Sequence, residues 1–199
     1  MKENTKLNIK VIMGSTREGR FSDKAAFWIN EEIKKHEGVA VEVLDLRDYA
    51  MPFFNEAITP SAKKEPYKNE AVARFTAKIA EADAFVVATP EYNHGVPAVL
   101  KNALDWVYSE WHNKPIAFVS YGTAGGARSV EHLRLTSIEL KMVPIREAIQ
   151  INGEKYFPVS FGKSTPEELF LNYTEKAKTM ITQLIWWASM LKNARNNLL

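Results

Sequence analysis

The segment Ala84-Phe85-Val86-Val87-Ala88 is apolar at every position rather than at every second one. Successive side chains of an extended strand point to opposite sides, so a strand with this pattern has both faces covered. Runs of similar character recur along the chain: Ile9 to Met13, Val39 to Leu46, Ala84 to Thr89, Pro115 to Ser120 and Val143 to Ile151. Helical patterns separate them, and that alternation predicts βαβ units in a parallel sheet. The second and fifth runs are interrupted by Glu42, Asp45, Arg146 and Glu147, which suits the two edges of the sheet. Strand order 2-1-3-4-5 puts them there. The expected fold class is therefore α/β, a doubly wound five-stranded parallel sheet in a three-layer sandwich.

The helices are read from their ends. Ser22 can cap a helix that carries Ala25, Phe27, Trp28, Ile29 and Ile33 to a stop at Gly38, where a left-handed residue is needed. Further helical patterns cover Ala71 to Ala82, Val96 to Tyr108 and Ser129 to Leu140. The best-marked start is Thr165-Pro166-Glu167-Glu168, an N-cap, a first-turn proline and a capping-box glutamate. From it Leu169, Tyr173, Ala177, Met180, Leu184, Ala188 and Leu191 keep helical spacing, which predicts one long final helix. Tyr49 to Asn69, with three prolines and no period, reads as a long loop, and Asn152 to Lys163 as a second irregular stretch. With no internal repeat in its 199 residues, the chain is expected to form a single domain over 1–199.

Composition removes several classes of function. There is no cysteine, so disulfides, iron–sulfur clusters, thiolate metal sites and thiol redox chemistry are excluded, and any electron transfer must use a bound cofactor. The formal charge of +2 comes from scattered lysines, without the basic footprint of a nucleic-acid binder. Met1 to Lys10 lacks the apolar stretch of an export signal, and Leu184 to Leu191 is too short to span a bilayer. The cytoplasm is the expected compartment, with no nucleic-acid or membrane partner.

In an open parallel sheet, ligands bind beyond the carboxyl ends of the strands where the order reverses, here between the first and third strands. Gly14-Ser15-Thr16-Arg17-Glu18-Gly19-Arg20-Phe21-Ser22 leaves the first strand and enters a helix, so glycines, hydroxyls and a helix N-terminus offer an anion site. Gly14 and Gly19 have Walker spacing but are followed by Arg20-Phe21, and no G-x-G-x-x-G is present, so neither an ATPase nor a Rossmann dehydrogenase is supported. Thr89-Pro90-Glu91-Tyr92-Asn93-His94-Gly95-Val96-Pro97 puts backbone groups, a flat aromatic and a carboxylate beside that loop, as suits a planar heterocycle. Tyr121-Gly122-Thr123-Ala124-Gly125-Gly126-Ala127-Arg128 adds three glycines where backbone can approach a ligand. His94 is a candidate acid or base, but a lone exposed loop histidine is more often neither, so it is not named as catalytic and its part in proton transfer stays open.

The run Gly14-Ser15-Thr16-Arg17 with Ser22, then Thr89-Pro90-Glu91-Tyr92-Asn93-His94, then Val99-Leu100-Lys101-Asn102-Ala103-Leu104-Asp105-Trp106, resembles the NADPH-dependent FMN reductase family, which includes quinone and chromate reductases and some azoreductases. The resemblance reaches to about Ile151 and implies a flavodoxin-like fold with FMN as bound cofactor and NAD(P)H as electron donor. It implies that Ser15, Arg17 and Ser22 hold the FMN phosphate, that Pro90, Glu91, Tyr92 and Asn93 line the ring, and that Ser120, Gly122, Gly125 and Gly126 border its other side. It further implies a homodimer or homotetramer, with the helix of Asp105 and Trp106 near the subunit contact. Gly95 departs from the serine common among relatives. No side-chain catalytic residue is required, since hydride chemistry occurs on FMN N5. The expected activity is two-electron, ping-pong transfer to quinones, azo compounds or similar small-molecule acceptors. The rivals are a flavodoxin-type electron carrier, which would tend to be strongly acidic, and a phospho-receiver, which would need an aspartate where Thr89-Pro90 stands. Trp106, Trp111, Trp186 and Trp187 exceed the usual needs of one small core, so some of them are expected at a symmetric interface.

Overall fold

A computed structural model describes residues 6–198. Five parallel strands, β1 (Leu7–Met13), β2 (Val39–Asp45), β3 (Ala84–Pro90), β4 (Pro115–Gly122) and β5 (Val143–Asn152), form one sheet in the order β2-β1-β3-β4-β5. The predicted topology and both edge strands are thus observed. Met13 stands opposite Asp45 on β2 and Ala88 on β3, so the three strands reach the same edge together. Their following loops open on one side of the molecule.

Strand alternation divides the apolar residues between two layers. Ile9, Val11, Met13, Val86, Ala88, Val119 and Ile149 face α1 (Ser22–Lys34) and the last helix, α7 (Thr174–Leu198), which contribute Ala25, Ile29, Ile33, Ala177, Met180 and Leu184. Ile12, Phe85, Val87, Ile116 and Phe118 face α2 (Glu70–Glu81), α3 (Ala98–Trp106) and α4 (Ala127–Glu139). Every residue of β3 and β4 is buried. This is the structural counterpart of their uninterrupted apolar character. Among the described residues, no helix is long and apolar enough to cross a membrane.

Four expectations need correction. Ser22 does not cap α1: the capping position is Phe21, without a side-chain bond to the helix, and Ser22 is the first helical residue. The helix itself ends at Lys34, and Gly38, at φ +72°, makes the turn into β2. The stretch 152–163 is not irregular but contains α5 (Gly153–Ser160), despite Pro158 within it. The final helix is two helices, α6 (Pro166–Leu171) and α7. The capping box forms as predicted, with Thr165 accepting from the Glu168 amide. Asn172 then donates through its side-chain amide to the carbonyls of Glu168 and Leu169, acceptors that a continuing helix would need, and the chain turns.

The tryptophans divide between core and surface. Trp106 and Trp111 lie within the core of this chain, 2% and 0% exposed. The Trp106 indole donates to the Pro52 carbonyl at 2.7 Å and so fastens the 49–69 loop, which otherwise contains only a 3-10 turn at Pro60–Ala62. Trp186 remains on the surface.

Candidate active site

The β1–α1 loop is shaped by an arginine that the sequence reading did not select. Arg20 is buried and donates to both Asp45 carboxylate oxygens, at 2.8 Å from Nη1 to Oδ1, to Asp23, and to the Ser15 carbonyl. Hydrogen bonding to Asp45 holds its guanidinium firmly protonated against the effect of burial. Arg47, just past β2, donates from Nη2 to the Arg17 carbonyl at 2.7 Å and from Nε to the Thr16 carbonyl at 3.2 Å. The loop is therefore bolted to the end of β2 by two cations. Arg17 itself is exposed and makes no ion pair among the described residues. With α1 uncapped by any side chain, its first amide donors and Arg17 leave positive potential at one spot.

The two serines of this loop are each held by a tyrosine. The Ser15 hydroxyl lies 2.8 Å from that of Tyr92, and the Ser22 hydroxyl 2.7 Å from that of Tyr121. Burial pushes the Tyr121 phenol well above its ordinary value, so it remains protonated. These pairs fix the hydroxyls in place before any ligand arrives.

The Pro90–Gly95 segment is a tight hairpin turn. Tyr92 and Gly95 exchange backbone hydrogen bonds of 3.1 and 3.0 Å, and Asn93 and His94 occupy its tip with φ of +49° and +67°. The His94 side chain is solvent-exposed. Glu91 faces away from the tip: its Oε1 accepts from Arg128 Nε at 2.6 Å and its Oε2 from the Arg128 amide at 3.1 Å, in the first turn of α4. The side chain is thus committed to holding the β3 and β4 loops together. The Glu91 amide in turn donates to the Tyr121 carbonyl.

In the β4 loop, the Ser120 hydroxyl is buried and donates to the Gly125 carbonyl at 2.7 Å. Gly126 has φ +74°, and a Cβ there would approach Ser120 Cβ to 2.8 Å. Ser120, Gly125 and Gly126 therefore set the course of the loop from beneath, while Gly122 lies against the Glu91 side chain, where a Cβ would approach Glu91 Cβ to 3.4 Å.

Arg17, Pro90, Glu91 and Tyr92 line one cavity of about 230 Å³, the β1 loop forming one side and the β3 loop the other. Ser15 and Ser22 reach its wall through Tyr92 and Tyr121. Asn93, Ser120, Gly122, Gly125 and Gly126 are not among its lining residues. The remaining wall was missed by sequence reasoning: Tyr156, Phe157, Ser160 and Phe161, from α5 and the residue after it. The available signal was the aromatic run Tyr156-Phe157 alone, since its place beside the anion loop comes from the packing of Tyr156 on Phe21.

A family model, NADPH-dependent FMN reductase, matches residues 7–155. The chain belongs to that family. Among its relatives, an NAD(P)H-dependent FMN reductase of Schizosaccharomyces pombe is 37% identical over 149 residues, 74% of each chain. A quinone reductase of Pseudomonas putida is 32% identical over 142 residues, 68% of this chain and 72% of that one. Among solved structures, a flavoenzyme NAD(P)H:(acceptor) oxidoreductase of Paracoccus denitrificans superposes with a TM-score of 0.62, covering 94% of this chain and 98% of its own at 24% identity. That likeness shows the flavodoxin-like fold. The groups lining the cavity fit FMN: an arginine without an ion pair among the described residues, next to an uncapped helix N-terminus, and the backbone of Pro90–Tyr92.

Proposed function

We propose that this chain is an FMN-dependent NAD(P)H oxidoreductase that passes two electrons to quinones, azo compounds or similar small acceptors. The observation that carries the reading is one cavity lined by both Arg17 and the Pro90–Tyr92 segment, in a chain of this family. Arg17, the Ser15 and Ser22 hydroxyls and the first amides of α1 would hold the phosphate. Pro90, Glu91, Tyr92 and Asn93 would line the ring through their backbone, and the loop from Ser120 through Gly122, Gly125 and Gly126 would border it. When bound, FMN supplies the hydride-accepting and hydride-donating atom, N5. The chain's own residues bind and orient it and hold its phosphate in a positive, partly dehydrated site.

Family membership favours this enzyme over an electron carrier. The phospho-receiver rival loses its chemistry at the end of β3, where Thr89 is fully buried and donates to the Pro90 carbonyl. We further read the chain as one domain, cytoplasmic, and assembled as a homodimer or homotetramer. The test is the visible spectrum of the purified protein. Yellow colour released as FMN on denaturation, together with steady NAD(P)H oxidation in the presence of a quinone, is the expected result; a colourless protein that takes up no FMN overturns the reading.

A further inference from the structure

Residues 156–171 lie beyond the segment matched by the family model, so what they add to the site does not follow from membership. Helix α5 is anchored at two points. At one, Tyr156 packs on Phe21 of the anion loop and on Tyr121 of β4, with ring centroids 5.3 and 5.4 Å apart. At the other, Gly153 sits against the β4 loop, where a Cβ would meet Thr123 Cα at 3.2 Å. The same glycine lets the Phe157 ring fold back over it, since a Cβ would fall 2.6 Å from Phe157 Cε2. The ring of Phe161 continues the row, 6.0 Å from that of Phe157 at 22°. Phe157 and Phe161 are nonetheless 37% and 72% exposed while lining the cavity. Large apolar rings left uncovered beside an uncommitted arginine gain hydrophobic free energy once a ligand covers them.

We propose, resting on the flavin reading above, that α5 is a cap on the phosphate end of the cofactor, and that Phe157 and Phe161 slow the departure of FMN and discriminate against FAD. Two physical effects support this. Apolar rings beside Arg17 exclude water from its ion pair with a phosphate, which strengthens the pair. FMN also ends at that phosphate, whereas FAD continues into a second phosphate and adenosine, which would have to pass the Phe157 and Phe161 rings on the cavity wall.

The experiment compares the wild-type chain with Phe157→Ala/Phe161→Ala and with the single variant Phe161→Ser, whose native ring is mostly in water and supports little of the core. Flavin fluorescence follows FMN release after dilution, and titration of the apoproteins gives FMN and FAD affinities. In the double variant, release should accelerate at least tenfold and the preference for FMN over FAD should narrow at least tenfold, while Phe161→Ser moves both in the same direction by a smaller factor. Variants that retain the wild-type release rate and FMN/FAD ratio overturn the cap and leave the flavin reading standing. A wild-type chain that binds neither flavin overturns the flavin reading itself.

Discussion

Arg17 and Arg20 belong to the same loop and have opposite roles. Arg20 is an internal strut, fully engaged by Asp45, Asp23 and the Ser15 carbonyl, whereas Arg17 is exposed, lines the cavity and makes no ion pair among the described residues. Arg17→Ala should therefore weaken FMN far more than riboflavin: loss of one partly exposed charge-assisted contact is worth about 1.5 kcal/mol, roughly tenfold. Parallel fluorescence titrations check this, and equal losses for the two flavins would remove Arg17 from the phosphate. Asp45 gives a pH signature. Burial acts to raise its pKa, but the bonds from Arg20 and the Arg47 amide prevail and hold the carboxyl below its ordinary value. A carboxylate depressed in the folded state stabilises it above the unfolded value, about pH 4, and loses that contribution as pH falls through the folded one. Urea midpoints measured from pH 7 down to about 2 should fall steeply below about pH 4. Asp45→Asn should be less stable at pH 7 and flatter below pH 4. An unchanged slope would place the acid sensitivity elsewhere. None of this division between the two arginines was legible in the sequence, because the partner that decides it comes from β2 and meets the loop only once β1 and β2 pair.

Among the elements, α4 shows how the site loops are fastened. Its capping position is Gly126 at φ +74°, which offers no side-chain acceptor, and the carboxylate of Glu91 from the β3 loop takes that place. Glu91→Ala should lower stability by about 1 kcal/mol through the helix terminus and its half-exposed partner Arg128. Glu91→Gln should lose less, since an amide oxygen can still accept from the Arg128 backbone. Urea unfolding reads both, and an alanine variant as stable as the wild type would mean that α4 needs no cap from β3. The parallel order, the edge strands and the Thr165 capping box were legible because each is written in contiguous residues: period, charge interruption, cap spacing. Helix α5 was not, since Gly153 and Pro158 are breakers by local propensity. It forms because Tyr156 docks on Phe21 and Tyr121, contacts made across the chain. The break between α6 and α7 was hidden for the opposite reason: Leu169, Tyr173 and Ala177 keep helical spacing through a turn imposed by a single asparagine side chain. The loops that line the cavity were read from the strand ends. Which of their side chains face the cavity depended on pairs such as Tyr92 with Ser15, whose members lie far apart in sequence.

Across the whole molecule, the proposed activity has a kinetic consequence. The described loops enclose one cavity over Arg17 and Tyr92, so the nicotinamide and the acceptor should use the same opening in turn. Double-reciprocal plots against NAD(P)H at several fixed quinone concentrations should give parallel lines, and intersecting lines that persist across acceptors would require both substrates to be bound together. Sedimentation at micromolar concentration should show a dimer or tetramer, for which Leu135 and Ile138 leave an apolar stripe on the outer side of α4; monomer alone would reject the assembly. Helix α7 sets a limit of another kind. It seals one face of the sheet with Ala177, Met180, Ile181, Leu184 and Ala188, and near its end Lys192 and Arg195 both pair with Asp83, at the opposite edge from the cavity. Every loop of the site has already been synthesised when residue 173 is joined, yet the wall behind β1, β3 and β4 is still missing. Translation thus delivers the cavity loops before α7, the helix that backs the sheet beneath them.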